Sequence, residues 1–306
     1  MFITKYNLVM NIFQKRTKPV QNLTFVAIMT AITVAFFAIL NFVPFSFLVI
    51  IIVFPLLSFL VGSICKKVYF IPFFVATCLL CFTFAFSDIS NLLFYLVPAL
   101  ITGFVMAVIS IKKVSIYVQL IVATIIQTLL TLLFVPVIQL IYEINFISDI
   151  IKMFGLQDYK YIDSFVVPSI LLISFIQTFF SYIFIIICSK KLNLTIIYKD
   201  DKKQIYGGFA AILGILSFIF AFFSFAKWIN FSLFLLTIYF LILCLIDFKY
   251  KSPLEIFMLV ISLVISVVAY VLLFNFVPNP NHICVLTIGI SFYGIYYSIK
   301  RGIFKI

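Results

Sequence analysis

Charge is what this chain lacks. Lys, Arg, Asp and Glu together make up 10% of its 306 residues, and the 47 positions between Lys18 and Lys66 carry no charged side chain at all. Hydrophobic residues make up 66%. No soluble fold of this size could bury that much apolar surface, so lipid has to cover it. Acid is scarcest: there are nine Asp and Glu, none at the centre of an apolar run, which weighs against a carboxylate proton relay in the membrane. The single histidine, His282, excludes a histidine metal cluster. There is no P-loop, no Gly-x-Ser-x-Gly and no His-Glu pair, so the chain is not read as an enzyme, cannot hydrolyse ATP itself, and is expected to need no cofactor. Cys78 and Cys81 form a Cys-x-x-Cys, but no His, Asp or Lys stands near them to stabilise a thiolate, and the pair reads as apolar packing. The 41 Phe fit an AT-rich genome and are not read as an aromatic binding site.

What fills the charge-free windows is apolar sequence of membrane-crossing length. A single helix over 19–65 would reach about 70 Å, against roughly 30 Å of bilayer hydrocarbon. The window therefore holds two spans, with the turn at Asn41-Phe42-Val43-Pro44-Phe45-Ser46, where Pro44 removes a helix donor. The same logic divides 256–299 at the proline- and asparagine-rich stretch Asn275–His282. Ten spans result, at about 22–40, 46–64, 68–87, 91–111, 115–142, 165–189, 206–226, 229–246, 254–275 and 282–299. Barrel strands would alternate polar and apolar, so the expected fold is an all-α polytopic transmembrane helix bundle. With both termini in the cytoplasm, eighteen of the 21 basic residues lie on the inner side, leaving only Lys152, Lys160 and Lys227 outside. The net charge of +12 then has its cause in topology and anionic inner-leaflet lipid, and nucleic acid is not an expected partner.

The expected organisation is an interfacial N-terminus at 1–21, a six-span domain at 22–190, a cytoplasmic linker at 191–205 and a four-span domain at 206–306. The linker carries Lys199-Asp200-Asp201-Lys202-Lys203, and a weakly acidic outer loop covers 143–164. No cleavable signal is apparent, so the first span is expected to be retained.

The sharpest local pattern is the row Ala27-x-x-x-Ala31-x-x-x-Ala35 in the first span, extended by Thr24 and Ala38. A spacing of four sets these side chains along one face, where another helix can approach closely. That helix is either a separate protein or a later segment of the same bundle. Polar side chains inside spans are the other candidates, because lipid makes each one costly. Thr124, Gln127, Thr128 and Thr131 mark one side of the fifth span, with Gln139 further out; Ser174, Gln177, Thr178 and Ser181 mark the sixth. Two such stripes either line a cavity for a polar small molecule or hydrogen-bond each other as interhelical glue. Asp88, Asn91 and Tyr95 gather at the outer start of the fourth span, with Glu143 on the same side. They either hold an amine or cationic ring or are solvated surface groups.

The stretch Asn22–Pro44, Gly62-Ser63, Asp88-x-x-Asn91 and Pro98-Ala99-Leu100-Ile101-Thr102-Gly103 resemble the substrate-binding S components of energy-coupling factor transporters. The resemblance covers 20–195 and is shared by an uncharacterised YybS-like membrane family with further C-terminal spans. It implies a multi-pass protein of the bacterial cell membrane that binds a vitamin-like molecule near the outer surface. It implies as partners a membrane-embedded T component and ATPase subunits, docked through Ala27, Ala31 and Ala35. It implies a lid at Asn41–Phe47. The candidate substrate contacts are Asn41 of that lid together with the polar side chains already singled out for their cost in lipid or their place at the outer end of a span, Asp88, Asn91, Tyr95, Gln127, Gln139 and Gln177. The short lid and the four extra spans depart from that family's pattern.

Overall fold

A computed structural model describes residues 15–43, 46–84, 89–112, 114–143, 163–192, 204–224, 227–246, 253–278 and 280–300. Among these residues every regular element is helical and no strand occurs. The α-helices are α1 (Pro19–Leu40), α2 (Ser46–Ile64), α3 (Phe70–Phe84), α4 (Val97–Ile111), α5 (Ile116–Tyr142), α6 (Asp163–Lys191), α7 (Gln204–Ala221), α8 (Lys227–Ile246), α9 (Pro253–Leu273) and α10 (Thr287–Lys300). By length and composition, eight helical segments among the described residues can cross a membrane, and Val49–Ile64 and Ile205–Ala221 are shorter apolar helices. Large apolar side chains stand exposed along them, including Leu133, Ile173 and Val267, as a lipid-solvated surface requires. The protein is a helical membrane bundle.

Three element starts differ from plain α-helix. A short 3-10 turn, Lys67–Tyr69, leads into α3, and another, Asn281–Leu286, leads into α10. Before α4, Asn91–Leu96 is π-helical, and the Val97 N–H reaches five residues back to the Leu92 carbonyl. Pro98 follows in the first turn of α4, where the missing N–H is tolerated. The linker at 191–205 and the loop at 143–164 fall largely outside the described residues.

The chain divides into two compact units, one built on α1–α5 with α6 from Ile170 onward, the other on α7–α10. In the first, α2 packs against α1, α3 and α4. Small residues permit the α2–α4 approach. A side chain on Gly103 would strike the Pro55 carbonyl, and one on Gly62 would come within 2.8 Å of the Ala107 Cβ. The Ser58 hydroxyl donates to the Leu100 carbonyl across the same seam. The motifs Gly62-Ser63 and Pro98–Gly103 thus have a packing role in this fold.

Pro55 creates a need that a third helix meets. It lies inside α2 and provides no N–H to the Ile51 carbonyl four residues earlier. The Ser181 hydroxyl of α6 lies 2.7 Å from that carbonyl and 2.8 Å from the Gln177 carbonyl of its own helix. One hydroxyl proton therefore serves a carbonyl that lipid could not.

In the second unit α7 packs closely on both α8 and α10. Gly207 and Gly294 face each other so tightly that a Cβ on either would lie 2.6 Å from the other's carbonyl oxygen. Thr287 donates to the Gly214 carbonyl at 2.9 Å, and Ser266 of α9 to the Leu286 carbonyl at 2.8 Å. Lys300 and Glu255 form an ion pair joining the ends of α10 and α9.

Candidate functional site

Helix α1 begins at Pro19, whose fixed φ suits the first helical turn. Its start is clamped from both sides. Buried Asn22 donates to the Lys18 carbonyl at 2.8 Å and accepts the Lys66 N–H at 3.2 Å. The Arg16 N–H donates to the Ile64 carbonyl at 2.9 Å, and the Arg16 guanidinium lies 4.6 Å from the centre of the Phe25 ring. At the far end, Asn41 donates to the Phe84 carbonyl at 3.1 Å, closing the last turn of α3. Phe25, Val26, Met29, Thr30, Thr33, Phe37 and Leu40 form the buried face, with Phe37 meeting Phe54 edge to face.

Ala27, Ala31 and Ala35 lie on the opposite face and are all exposed, together with Thr24, while Ala38 is half-buried. Exposed Ile28, Ile32 and Phe36 stand beside them as ridges. The result is a shallow trough of methyl groups along a helix whose position is fixed at both ends.

The polar stripes of α5 and α6 meet. Thr124 and Thr178 share a hydrogen bond of 2.8 Å, and the Gln127 amide donates to the Gln177 carbonyl oxygen. Thr128, Thr131 and Thr178 also return their hydroxyls to carbonyls of their own helices. Gln127 and Gln177 are therefore paired with each other, Gln127 buried and Gln177 half-buried. Gln139 is half-buried but lies twelve residues along α5 from Gln127, about 18 Å at helical rise, so the two cannot act on one small ligand.

Of the outer cluster, Asp88 lies outside the described residues, as do Pro44 and Phe45 of the lid. Asn91 opens the π-helical segment. Tyr95 is half-buried against the core, its ring centre 6.4 Å from that of Phe94. Nearby on the chain, the Tyr142 hydroxyl accepts the Ile89 N–H at 3.1 Å. Glu143 caps α5 in a left-handed conformation with φ of 53°. Cys78 is half-buried and Cys81 buried on α3, both as free thiols.

Two polar groupings have no counterpart in the sequence reading. Gln119, fully buried, accepts the Ser110 hydroxyl at 3.0 Å and donates to the Val114 carbonyl at 2.8 Å, closing the α4–α5 turn. In the second unit the Ser217 hydroxyl of α7 donates to the side-chain amide oxygen of Asn230 in α8, the Asn281 amide of the second 3-10 turn donates to the Ala221 carbonyl, and His282 beside it packs edge-on against Phe274. The signal for the latter was an amide or imidazole beside an apolar run, which position along the chain alone does not distinguish from an exposed turn. Among the described residues no group of three or more His, Cys, Asp or Glu is placed to hold a metal ion. Comparisons with family models, with curated proteins and with solved structures gave no match.

Proposed function

We propose that this chain is the substrate-binding membrane subunit of an energy-coupling-factor type uptake system, taking a vitamin-like small molecule from the outer face. In this reading ten spans cross the membrane, both termini are cytoplasmic, and the ATPase belongs to other subunits. The observation that carries it is the exposure of Ala27, Ala31 and Ala35 on a helix clamped at both ends. In lipid no hydrophobic force holds helices together, and close backbone approach over small residues is a principal source of helix association. Here such a row is left open while Gly62, Gly103 and Ala107 already fulfil that role inside the unit. Its occupant is taken to be a helix of the T component. The test is purification from native membranes in a mild detergent: a T component with its ATPases should accompany the wild-type chain and be lost from Ala31→Leu.

A second reading, a stand-alone carrier or an envelope scaffold, is favoured by the Gln127–Gln177 and Thr124–Thr178 bonds, which use polar side chains to join helices. Transport by the purified chain alone in liposomes supports the carrier. Function that survives replacing both glutamines by leucine supports the scaffold.

A further inference from the structure

The sequence turns basic where two apolar helices end, at Lys15-Arg16-Thr17-Lys18 before α1 and at Lys66-Lys67 after α2. The fold brings these two segments together. The Arg16 N–H donates to the Ile64 carbonyl at 2.9 Å, and Asn22 accepts the Lys66 N–H at 3.2 Å while donating to the Lys18 carbonyl at 2.8 Å. Helix α1 also packs against the 3-10 turn Lys67–Tyr69 and against α3. Lys18 is extended, as the residue before Pro19 must be, and Lys66 is extended at the start of its turn. Arg16 belongs to the scaffold of this arrangement, since its guanidinium donates to the Gln21 carbonyl at 2.9 Å and lies over the Phe25 ring.

Lys15, Lys18, Lys66 and Lys67 are all exposed. Among the described residues none of the four ammonium groups is paired with a carboxylate. The reason is in the sequence: the first acidic residue of the chain is Asp88. It follows α3, which starts beside Lys67–Tyr69 and runs about 22 Å at helical rise before Phe84 ends it. Four like charges held on joined segments without local acid raise the potential there and attract an anion. Apolar side chains border the same lysines. Val20 and Leu23 open α1, Val68 and Ile71 open the way into α3, and all four are exposed. Long lysine stems bridge such a border, with their carbons on the apolar side and their charge at headgroup level.

We propose that this joined basic surface is a seat for an anionic phospholipid, whose phosphate is drawn by Lys15, Lys18, Lys66 and Lys67. Its acyl chains lie against Val20, Leu23, Val68 and Ile71. A soluble phosphate or an acidic protein would satisfy the charge alone, whereas a lipid satisfies the charge and the apolar border together. The seat is local, fixed by the hydrogen bonds between two segments, and is distinct from the net positive charge spread over the chain. It uses only the start of α1, so it does not depend on what covers the alanine row or on the uptake reading.

Native mass spectrometry of the full chain in a neutral maltoside detergent tests this, with phosphatidylglycerol and phosphatidylcholine of identical acyl chains added in equal amounts. A lysine near anionic lipid contributes about fivefold in affinity, so the wild type should retain phosphatidylglycerol roughly tenfold or more over phosphatidylcholine. Replacing all four together, as Lys15→Gln, Lys18→Gln, Lys66→Gln and Lys67→Gln, should abolish that preference. A control with the same loss of charge elsewhere, Lys199→Gln, Lys202→Gln, Lys203→Gln and Lys305→Gln, should keep most of it. Equal losses in the two variants would make total charge the cause and overturn the proposal. Displacement of the lipid by an equal concentration of glycerol phosphate would show an ion site without a lipid seat and overturn it too. So would equal retention of both lipids by the wild type, which leaves the surface to water or to an acidic protein. That last result is read on the wild type, so it holds whether or not the variants fold.

Discussion

Replacing Ser181 by alanine removes the donor that meets the carbonyl Pro55 leaves open. The Ser181 hydroxyl is 2.7 Å from the Ile51 oxygen and buried. Interhelical hydrogen bonds in membranes average roughly 0.6 kcal/mol and reach about 1.7. Stranding a buried acceptor costs about 1–3 kcal/mol. The expected loss for Ser181→Ala is therefore about 1–2 kcal/mol. Pro55→Ala restores an N–H four residues after Ile51, so α2 can satisfy the carbonyl from within. In that background Ser181→Ala should cost no more than about 0.5 kcal/mol, giving a coupling of about 1 kcal/mol in the double-mutant cycle. Reversible SDS titration in mixed micelles, followed by helical circular dichroism, measures it. Fluorescence of the single tryptophan would not serve, because Trp228 lies in the second unit. Ser181 also lies 2.8 Å from the Gln177 carbonyl. If its proton served that bond alone, the loss would be equal in both backgrounds, and additive costs would refute the reasoning.

Gly103→Ala would place a methyl group against the Pro55 backbone carbonyl, which cannot move aside as a flexible side chain could; the same titration should show a loss of about 1–3 kcal/mol. Lys300→Met should cost more than Glu255→Gln in thermal unfolding of the detergent-solubilised protein, because only the first strands a buried carboxylate. Cys65, just beyond the end of α2, has its thiol pKa pushed up to about 11 by burial, against the opposing Arg16 guanidinium. A raised thiol pKa means the neutral form persists at pH 8, so maleimide labelling of a chain with only Cys65 should be slow and accelerate as pH climbs toward 11; labelling at pH 7 as fast as a free thiol contradicts this.

Hydropathy made the helical class legible, because a run such as Ser46–Ile64 offers lipid no polar group and leaves helix as the way to satisfy its backbone. The same simplicity hid how the helices interlock. Pro55 and Ser181 are 126 positions apart, and no local pattern links a missing N–H to a hydroxyl on another helix. The alanine row was visible as spacing, but whether it was covered depended on which face Phe25, Met29 and Phe37 turned inward. For Gln127 and Gln177 the sequence left a cavity and a mutual bond as alternatives, and in the folded chain the two amides bond each other. His282 and Asn281 read as an outer turn, yet the 3-10 geometry folds both side chains inward.

The most direct test of the uptake reading is the composition of the complex isolated from native membranes with the wild-type chain and with Ala27→Leu, Ala31→Leu and Ala35→Leu. These exposed positions should tolerate leucine within about 0.5 kcal/mol of stability, so the variants remain folded. The account expects a membrane subunit and its ATPases with the wild type and their loss from each variant. A wild-type chain that elutes alone and moves solute unaided in liposomes would contradict it.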